Sequence, residues 1–216
     1  MAKVAPSILA ADFANLGRDV GMLEQWGASM VHCDVMDGVF VPNLSIGPQH
    51  IKAMRPYTKL PMDVHLMITQ PERYVELFAH AGADSITVHQ EATPHLHRAL
   101  ALIKGCGLKT GVALNPSTSI SAIESVMDMI DMVLIMTIDP GYGGQQLIPA
   151  MIDKVESMKR MIVRTGSKME IQVDGGVHAL NAPALVRAGV DILVAGTAIF
   201  GSDDPHLVVR DLCAAS

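Results

Sequence analysis

Val31-His32-Cys33-Asp34-Val35-Met36-Asp37-Gly38 reads as a strand, with Gly27-Ala28 before it and Asp37-Gly38 turning the chain after it. Side chains alternate faces along a strand, so His32, Asp34 and Met36 share one face and Cys33 and Val35 the other. The second face is small and apolar, as packing requires. The first carries an imidazole and a carboxylate two residues apart, at the strand's end. Burying such a pair costs free energy unless it is matched. A divalent metal would match it. Taken alone, the stretch equally describes a strand with a wet polar face, so its reading depends on what the rest of the chain repeats.

The chain repeats strand followed by helix. Strands are expected at Lys3–Leu9, Ser29–Met36, Leu60–Met67, Asp84–His89, Lys109–Leu114, Asp131–Thr137, Met169–Asp174 and Asp191–Ala195. Helices are expected between them: one from Asp12 or Asn15 to Trp26, one at Pro48–Met54, and one opened by Pro71 and running to about His80. Further helices follow at Pro94–Lys104, with Gly105 as its C-terminal cap, and at Ser119–Met129, capped by Asn115–Thr118. The last three are Pro149–Arg164, His178–Ala188 and Pro205–Cys213. Trp26-Gly27-Ala28-Ser29, Ala81-Gly82-Ala83-Asp84 and Ala188-Gly189-Val190-Asp191 are echoes at which a helix ends and a strand begins. Eight such units point to an α/β chain with a parallel sheet, and eight is the number that closes a (β/α)8 TIM barrel; a doubly wound open sheet is the alternative. No linker or low-complexity segment divides residues 1–216, which reads as a single barrel domain.

Composition narrows the function. The 216 residues carry a net charge of −6, with 50% hydrophobic and 4% aromatic residues. No apolar run approaches the roughly 18 residues that would span a membrane. The N-terminus lacks the basic and apolar pattern of a signal peptide, so a cytoplasmic protein is expected. Cys33, Cys106 and Cys213 have no metal-ligand spacing and read as reduced thiols. The acidic balance argues against nucleic acid or an anionic membrane as partner, though a local cradle can still bind a small anion. Most of the fifteen Met residues read as adaptable core filler.

In such a barrel the active site lies at the C-terminal ends of the strands. There the second strand offers His32, Asp34 and Met36; the third offers Asp63, His65 and Met67; the seventh offers Glu170, Gln172 and Asp174. His32, Asp34, His65 and Asp174 thus end three strands that face one axis. Two imidazoles and two carboxylates suit one divalent ion, zinc first, with iron, manganese or cobalt as alternatives. Gly141-Tyr142-Gly143-Gly144, Gly175-Gly176 and Gly196-Thr197 follow the sixth, seventh and eighth strands. Such glycines let backbone N–H groups approach a phosphate. No Lys or Arg lies between Thr137 and Leu147 or between Met169 and Leu185, so the cradle would bind with backbone dipoles. A metal beside two carboxylates suggests proton transfer next to a carbonyl, through a metal-stabilised enediolate. With Asp34 and Asp174 on opposite faces of the substrate, one removes the proton and the other returns it, inverting that carbon.

These residues resemble ribulose-phosphate 3-epimerase. The likeness lies in Pro6-Ser7-Ile8-Leu9, His32 to Gly38 with Phe40-Val41-Pro42-Asn43, Asp63-Val64-His65-Leu66-Met67, Asp139-Pro140-Gly141-Tyr142-Gly143-Gly144-Gln145 and Val173-Asp174-Gly175-Gly176-Val177. It runs from about Pro6 to Phe200. The resemblance implies an isomerase of carbohydrate metabolism and the pentose phosphate pathway that interconverts D-ribulose 5-phosphate and D-xylulose 5-phosphate. It implies one metal on His32, Asp34, His65 and Asp174, with Asp34 as proton acceptor and Asp174 as donor. It also implies substrate contacts from Ser7 and His65, and Met36, Met67 and Met136 lining the enediolate. Phosphate would lie on Gly141, Tyr142, Gly143, Gly144, Gly175, Gly176, Gly196 and Thr197, and the protein would be a homo-oligomer, a dimer or a larger ring. One run departs from the pattern: Met136-Thr137-Ile138-Asp139-Pro140-Gly141 is more similar to D-allulose 6-phosphate 3-epimerase, which performs the same chemistry on a hexose phosphate. A phosphate-binding decarboxylase on this barrel would need Asp-x-Lys-x-x-Asp, and Met36 stands where the Lys would be. A non-catalytic sugar-phosphate-binding barrel is the reading of another class, and the intact set of four ligands argues against it.

Overall fold

The structure is a computed structural model that describes residues 1–216. Eight parallel strands run β1 (Lys3–Pro6), β2 (Val31–Met36), β3 (Met62–Met67), β4 (Ser85–His89), β5 (Lys109–Leu114), β6 (Met132–Met136), β7 (Glu170–Asp174) and β8 (Ile192–Ala195). Each pairs with its sequence neighbour from β2 to β8, and β1 pairs with β8. A parallel bridge between Ser7 and His32 brings β1 back to β2 and closes the ring. This is a (β/α)8 TIM barrel; the open sheet is excluded because β1 and β2 meet.

The strands are buried on both faces because helices cover the outside. These are α1 (Leu16–Leu23), α2 (Pro48–Met54), α3 (Val75–Ala81), α4 (Leu96–Gly105), α5 (Ala150–Thr165), α6 (Ala182–Ala188), α7 (Thr197–Phe200) and α8 (Pro205–Cys213). Outward residues such as Val64, Ile86, Val112, Val133 and Ile171 pack against Leu23, Phe78, Leu100 and Val155 of the helices. Inside the barrel, Ala5, Met132, Ile192 and Val194 form an apolar plug. Above it the interior turns polar, with His32, Asp34, Asp63, His65, Thr87, His89 and Gln172 all buried. Trp26 and Phe200 pack edge to face, as packing residues should.

The three helix-to-strand echoes share one backbone device. Gly27, Gly82 and Gly189 all have positive φ (84°, 108° and 113°), which turns the chain out of a helix at little steric cost. Several helix limits differ from expectation. Gly105 lies inside α4, and Gly107, at φ 76°, makes the turn. Pro71–Arg73 is a separate 3-10 turn before α3, and Asp12 caps another at Phe13–Asn15 before α1 begins at Leu16. Ile120–Met129 is 3-10 throughout, and its N-cap is Ser119, whose side chain accepts from the Ser121 N–H. α6 begins at Ala182, four residues later than expected, because Asn181 holds residues 176–181 in a loop by bonding the His178 N–H and the Gly176 carbonyl.

Candidate active site and metal centre

Register assembles the site. His32 is the cross-strand partner of Asp63, Asp34 of His65, and Met36 of Met67; on the other side of the barrel Asp174 pairs with Met136. With period-two alternation, all of these point inward. One ligand atom from each of His32, Asp34, His65 and Asp174 lies within 4.8 Å of the others. His32 Nε2 is 3.3 Å from Asp34 Oδ1 and 4.0 Å from Asp174 Oδ2. His65 Nδ1 is 3.2 Å and 3.9 Å from the same two oxygens. Ligand atoms about 2.0–2.1 Å from a tetrahedral ion stand roughly 3.3–3.4 Å apart; the two separations to Asp34 match this, and the two to Asp174 are longer.

Hydrogen bonding tests the fit independently. Asp63 Oδ2 lies 2.8 Å from His32 Nδ1. Asp63 also accepts from Ser85 Oγ and Gln172 Nε2, each at 2.8 Å. A carboxylate so placed accepts a hydrogen bond from Nδ1 and turns Nε2 toward the cluster, where the neutral ring offers a lone pair to a metal ion. His32 Nε2 is buried and has no hydrogen-bond partner. It faces only carboxylate oxygens. A buried ring nitrogen held among carboxylate oxygens attracts a cation, whether a proton or a metal ion, and the His/Asp cluster fits a divalent metal site.

The electrostatics separate the two carboxylates. Burial pushes Asp174 up, the Asp34 charge adds to it, and its carboxyl rises to about 7. Burial acts upward on Asp34 too, but His32 and His65 outweigh it and hold that carboxyl well below the usual range. Burial drives His65 down to about 4, with the neighbouring Asp34 carboxylate opposing it. His32 is equally buried, yet Asp34 and Asp63 keep it well above the ordinary histidine value. Two carboxyl groups held apart in this way suit one acid and one base, and a bound cation would draw Asp174 downward.

Above the cluster opens a cavity of about 850 Å³. Its lining contains Ser7, Asp34, Met36, Met67, Met136, Gly141, Tyr142, Gly143, Gly144, Asp174, Gly175, Gly176, Gly196 and Thr197. His32 and His65 are fully buried beneath it. The four expected metal ligands and the expected substrate-contact residues are therefore in the cavity wall or directly under it, whereas Glu170 opens β7 and pairs with Lys3 at the other end of the strand. Ser7 Oγ donates to Asp34 Oδ2 at 2.5 Å. The N–H groups of Gly143, Gly144, Gly175 and Gly176 donate to no acceptor in the chain. Gly176 has φ 67°, and a Cβ there would stand 2.5 Å from the Leu147 nitrogen; at Gly175, with φ 118°, it would stand 2.2 Å from Ile138 Cγ1. Gly175 and Gly176 are required by positive φ and by close packing against Ile138 and Leu147, and they line the cavity with backbone donors that no group in the chain takes up.

Four placements go beyond the sequence reading. His178, expected to open a helix, is exposed and stands on the cavity rim. Asp139 is exposed and absent from the lining, whereas its neighbours Ile138 and Pro140 are in it. The outer supports Asp63, Ser85, Gln172, His89 and Glu91 were not assigned a site role. Period two from His65 to Asp63 and from Asp174 to Gln172 was the available signal for two of them. Asn43 and Tyr142 also join the β2 and β6 loops across the mouth: Asn43 Nδ2 donates to the Gly141 carbonyl and the Tyr142 hydroxyl to the Pro42 carbonyl, both at 3.0 Å.

Known proteins resemble the chain over nearly its whole length. Residues 3–200 match the model of the ribulose-phosphate 3-epimerase family. The chain is 51% identical over 213 residues to the ribulose-phosphate 3-epimerase of Bacillus subtilis, covering 98% of each chain. It is 46% identical over 210 residues to that of Escherichia coli K12, covering 97% of this chain and 93% of the relative. Among solved structures, a tryptophan synthase alpha-subunit variant from Pyrococcus furiosus shares the fold with TM-score 0.73 at 16% identity, covering 98% of both chains. The 3-hexulose-6-phosphate synthase of Salmonella typhimurium shares it with TM-score 0.71 at 17% identity, covering 99% of this chain and 97% of that one. No helix is long and apolar enough to cross a membrane. With the family model spanning nearly the whole barrel and near-half identity across full-length relatives, the chain belongs to the ribulose-phosphate 3-epimerase family, isomerases acting on carbohydrates.

Proposed function

We propose that this chain, as one barrel domain, epimerises D-ribulose 5-phosphate and D-xylulose 5-phosphate at C3, with Asp34 and Asp174 as the two proton-carrying groups. The observation that carries this reading is the pair of carboxylates on the floor of one cavity, brought from β2 and β7. Asp34 removes the C3 proton from one face of the sugar, the electron pair moves to the C2 carbonyl oxygen, and an enediolate forms. Asp174 delivers a proton to C3 from the other face, and the carbonyl reforms with C3 inverted. The roles exchange in the reverse direction. His32, Asp34, His65 and Asp174 would hold one divalent ion, with zinc the first choice. Such an ion supplies positive charge against the oxygens on which negative charge develops.

Ser7 holds Asp34 in place through its short hydrogen bond and stands at the cavity wall within reach of a substrate hydroxyl. Met36, Met67 and Met136 cover the reacting carbons with polarisable, water-excluding surface. The free N–H groups of the Gly141–Gly144 and Gly175–Gly176 loops, with Gly196 and Thr197, receive the phosphate. The protein would work in the cytoplasm as a homo-oligomer. The test is a side-by-side rate assay on D-ribulose 5-phosphate and D-allulose 6-phosphate, with added Zn²⁺, Mn²⁺ or Fe²⁺ and a chelated control. Faster turnover of the pentose phosphate, abolished by chelation, is expected. Faster turnover of the hexose phosphate would overturn the substrate assignment, and full activity after complete metal removal would overturn the metal.

A further inference from the structure

The second imidazole of the cluster has a support of its own, and it leads away from the cavity. His65 Nε2 lies 2.8 Å from His89 Nε2, and His89 Nδ1 lies 3.3 Å from Glu91 Oε2. The His65 and His89 rings meet end on, with centroids 4.9 Å apart and planes inclined by 22°. Phe40 covers His89 with ring centroids 4.8 Å apart, and His89 is fully buried. Glu91 is pinned at its other oxygen, where Oε1 accepts from the Asn115 N–H at 2.9 Å and from the Thr118 hydroxyl. Lys154 Nζ donates to the Asn115 carbonyl at 2.6 Å and closes the cluster from α5.

Proton counting fixes this chain of contacts. An ionised Glu91 only accepts, so a neutral His89 carries its proton on Nδ1. His89 Nε2 is then a lone pair. One proton must lie between the two facing Nε2 atoms, so it belongs to His65 Nε2. His65 Nδ1 is left bare and aimed at Asp34 and Asp174. Burial alone would raise the Glu91 carboxyl, but hydrogen bonds from His89, Thr118 and Asn115 bring it down to about 2, which keeps it an acceptor.

We propose that His89 and Glu91 are positioning residues that lock His65 in the tautomer and ring orientation needed to ligate a divalent cation through Nδ1, an inference that rests on the four-residue metal reading. Asp63 does the same for His32 in one step; His65 needs two because β4 interposes His89. Outer partners of this kind typically carry a tenfold to hundredfold share of metal affinity.

The test is the affinity of the purified full chain for Zn²⁺ and Co²⁺, measured by competition with a chromophoric chelator, in the wild type, Glu91→Gln, His89→Phe and Val88→Ala. An amide at position 91 can face His89 or the Asn115–Thr118 donors correctly, but not both, so Glu91→Gln loosens the lock while keeping the shape. Both Glu91→Gln and His89→Phe are expected to bind the ions roughly tenfold to a hundredfold more weakly. Val88→Ala, a core truncation on the same strand, is expected to lower stability and leave affinity unchanged. Long-range proton–nitrogen NMR of the cation-free wild type is expected to place the His65 proton on Nε2. A folded Glu91→Gln protein with wild-type affinity, or a His65 proton on Nδ1, overturns the proposal; if His89→Phe does not fold, Glu91→Gln decides. A wild type that binds neither ion refutes the metal reading instead, and the His65 tautomer then judges the lock by itself.

Discussion

Replacing Asp63 should cost the protein both stability and its cation, and the two losses separate by variant. Asp63 is fully buried and accepts three hydrogen bonds at 2.8 Å, from His32 Nδ1, Gln172 Nε2 and Ser85 Oγ. Asp63→Ala leaves three buried donors without a partner. Each orphan costs roughly 1–3 kcal/mol, part of which is returned because a buried charge is also removed, so the net loss should be about 3–5 kcal/mol. That is a large fraction of the roughly 5–15 kcal/mol that holds a domain together. Asp63→Asn keeps the shape. Its carbonyl oxygen can still accept from His32 and Gln172, and its amide can donate to the Ser85 hydroxyl, so the stability loss should be about 1–2 kcal/mol. His32 nevertheless loses its charged partner, and cation affinity should fall roughly tenfold or more. Urea titration reads the first effect and chelator competition the second. If Asp63→Ala were no less stable than Asp63→Asn, or if Asp63→Asn bound cation as the wild type does, the account of His32 would be wrong.

Other perturbations bear on the remaining parts. Gly175→Ala places a Cβ 2.2 Å from Ile138 Cγ1 at φ 118°; it should destabilise by about 2–4 kcal/mol and raise KM for the sugar phosphate, both readable in urea melts and initial rates. Ser7→Ala removes the 2.5 Å donor to Asp34 and the cap on the Leu9 N–H; a charge-assisted bond of about 1.5–3 kcal/mol implies a kcat/KM roughly tenfold to a hundredfold lower together with a lower melting temperature. Glu91 has its carboxyl lowered from 4.5 to about 2, so as pH falls the unfolded chain takes up the proton first. Its stabilisation is full above about pH 4.5 and is lost as pH drops toward 2. For a side chain 23% exposed, solvent screening leaves about 1–2 kcal/mol, and Glu91→Gln should flatten the stability–pH curve across that acid window.

Much of this molecule was legible because two periods govern it. The strand period of two places His32 with Asp34 and His65 with Met67 on a single face, and parallel pairing then has only to bring those faces to one axis. The glycine echoes at Gly27, Gly82 and Gly189 mark helix ends because all three need positive φ. What stayed hidden depends on register between strands. That His89 reaches His65 and not the substrate follows from the stagger of β3 and β4, in which Leu66 pairs with Val88. That Glu91 belongs to the same network follows from a 3-10 turn after β4. The segment Ile120–Met129 carries helical periodicity in its apolar residues, yet it is 3-10 along its length; periodicity does not distinguish the two over ten residues. Asp139 stands outside the cavity lining although Ile138 and Pro140 belong to it, because adjacency in sequence does not put a side chain in the cavity.

The two-carboxylate account is tested most directly by proton NMR of D-ribulose 5-phosphate in deuterated water with the wild type and with Asp174→Asn. The wild type should form D-xylulose 5-phosphate carrying deuterium at C3. Asp174→Asn keeps Asp34 as its one base, so it should exchange the C3 proton of D-ribulose 5-phosphate with retention and form no D-xylulose 5-phosphate. Epimerisation by Asp174→Asn at the wild-type rate, or wild-type product without deuterium at C3, would contradict the assignment of Asp34 and Asp174 as the pair that moves the proton.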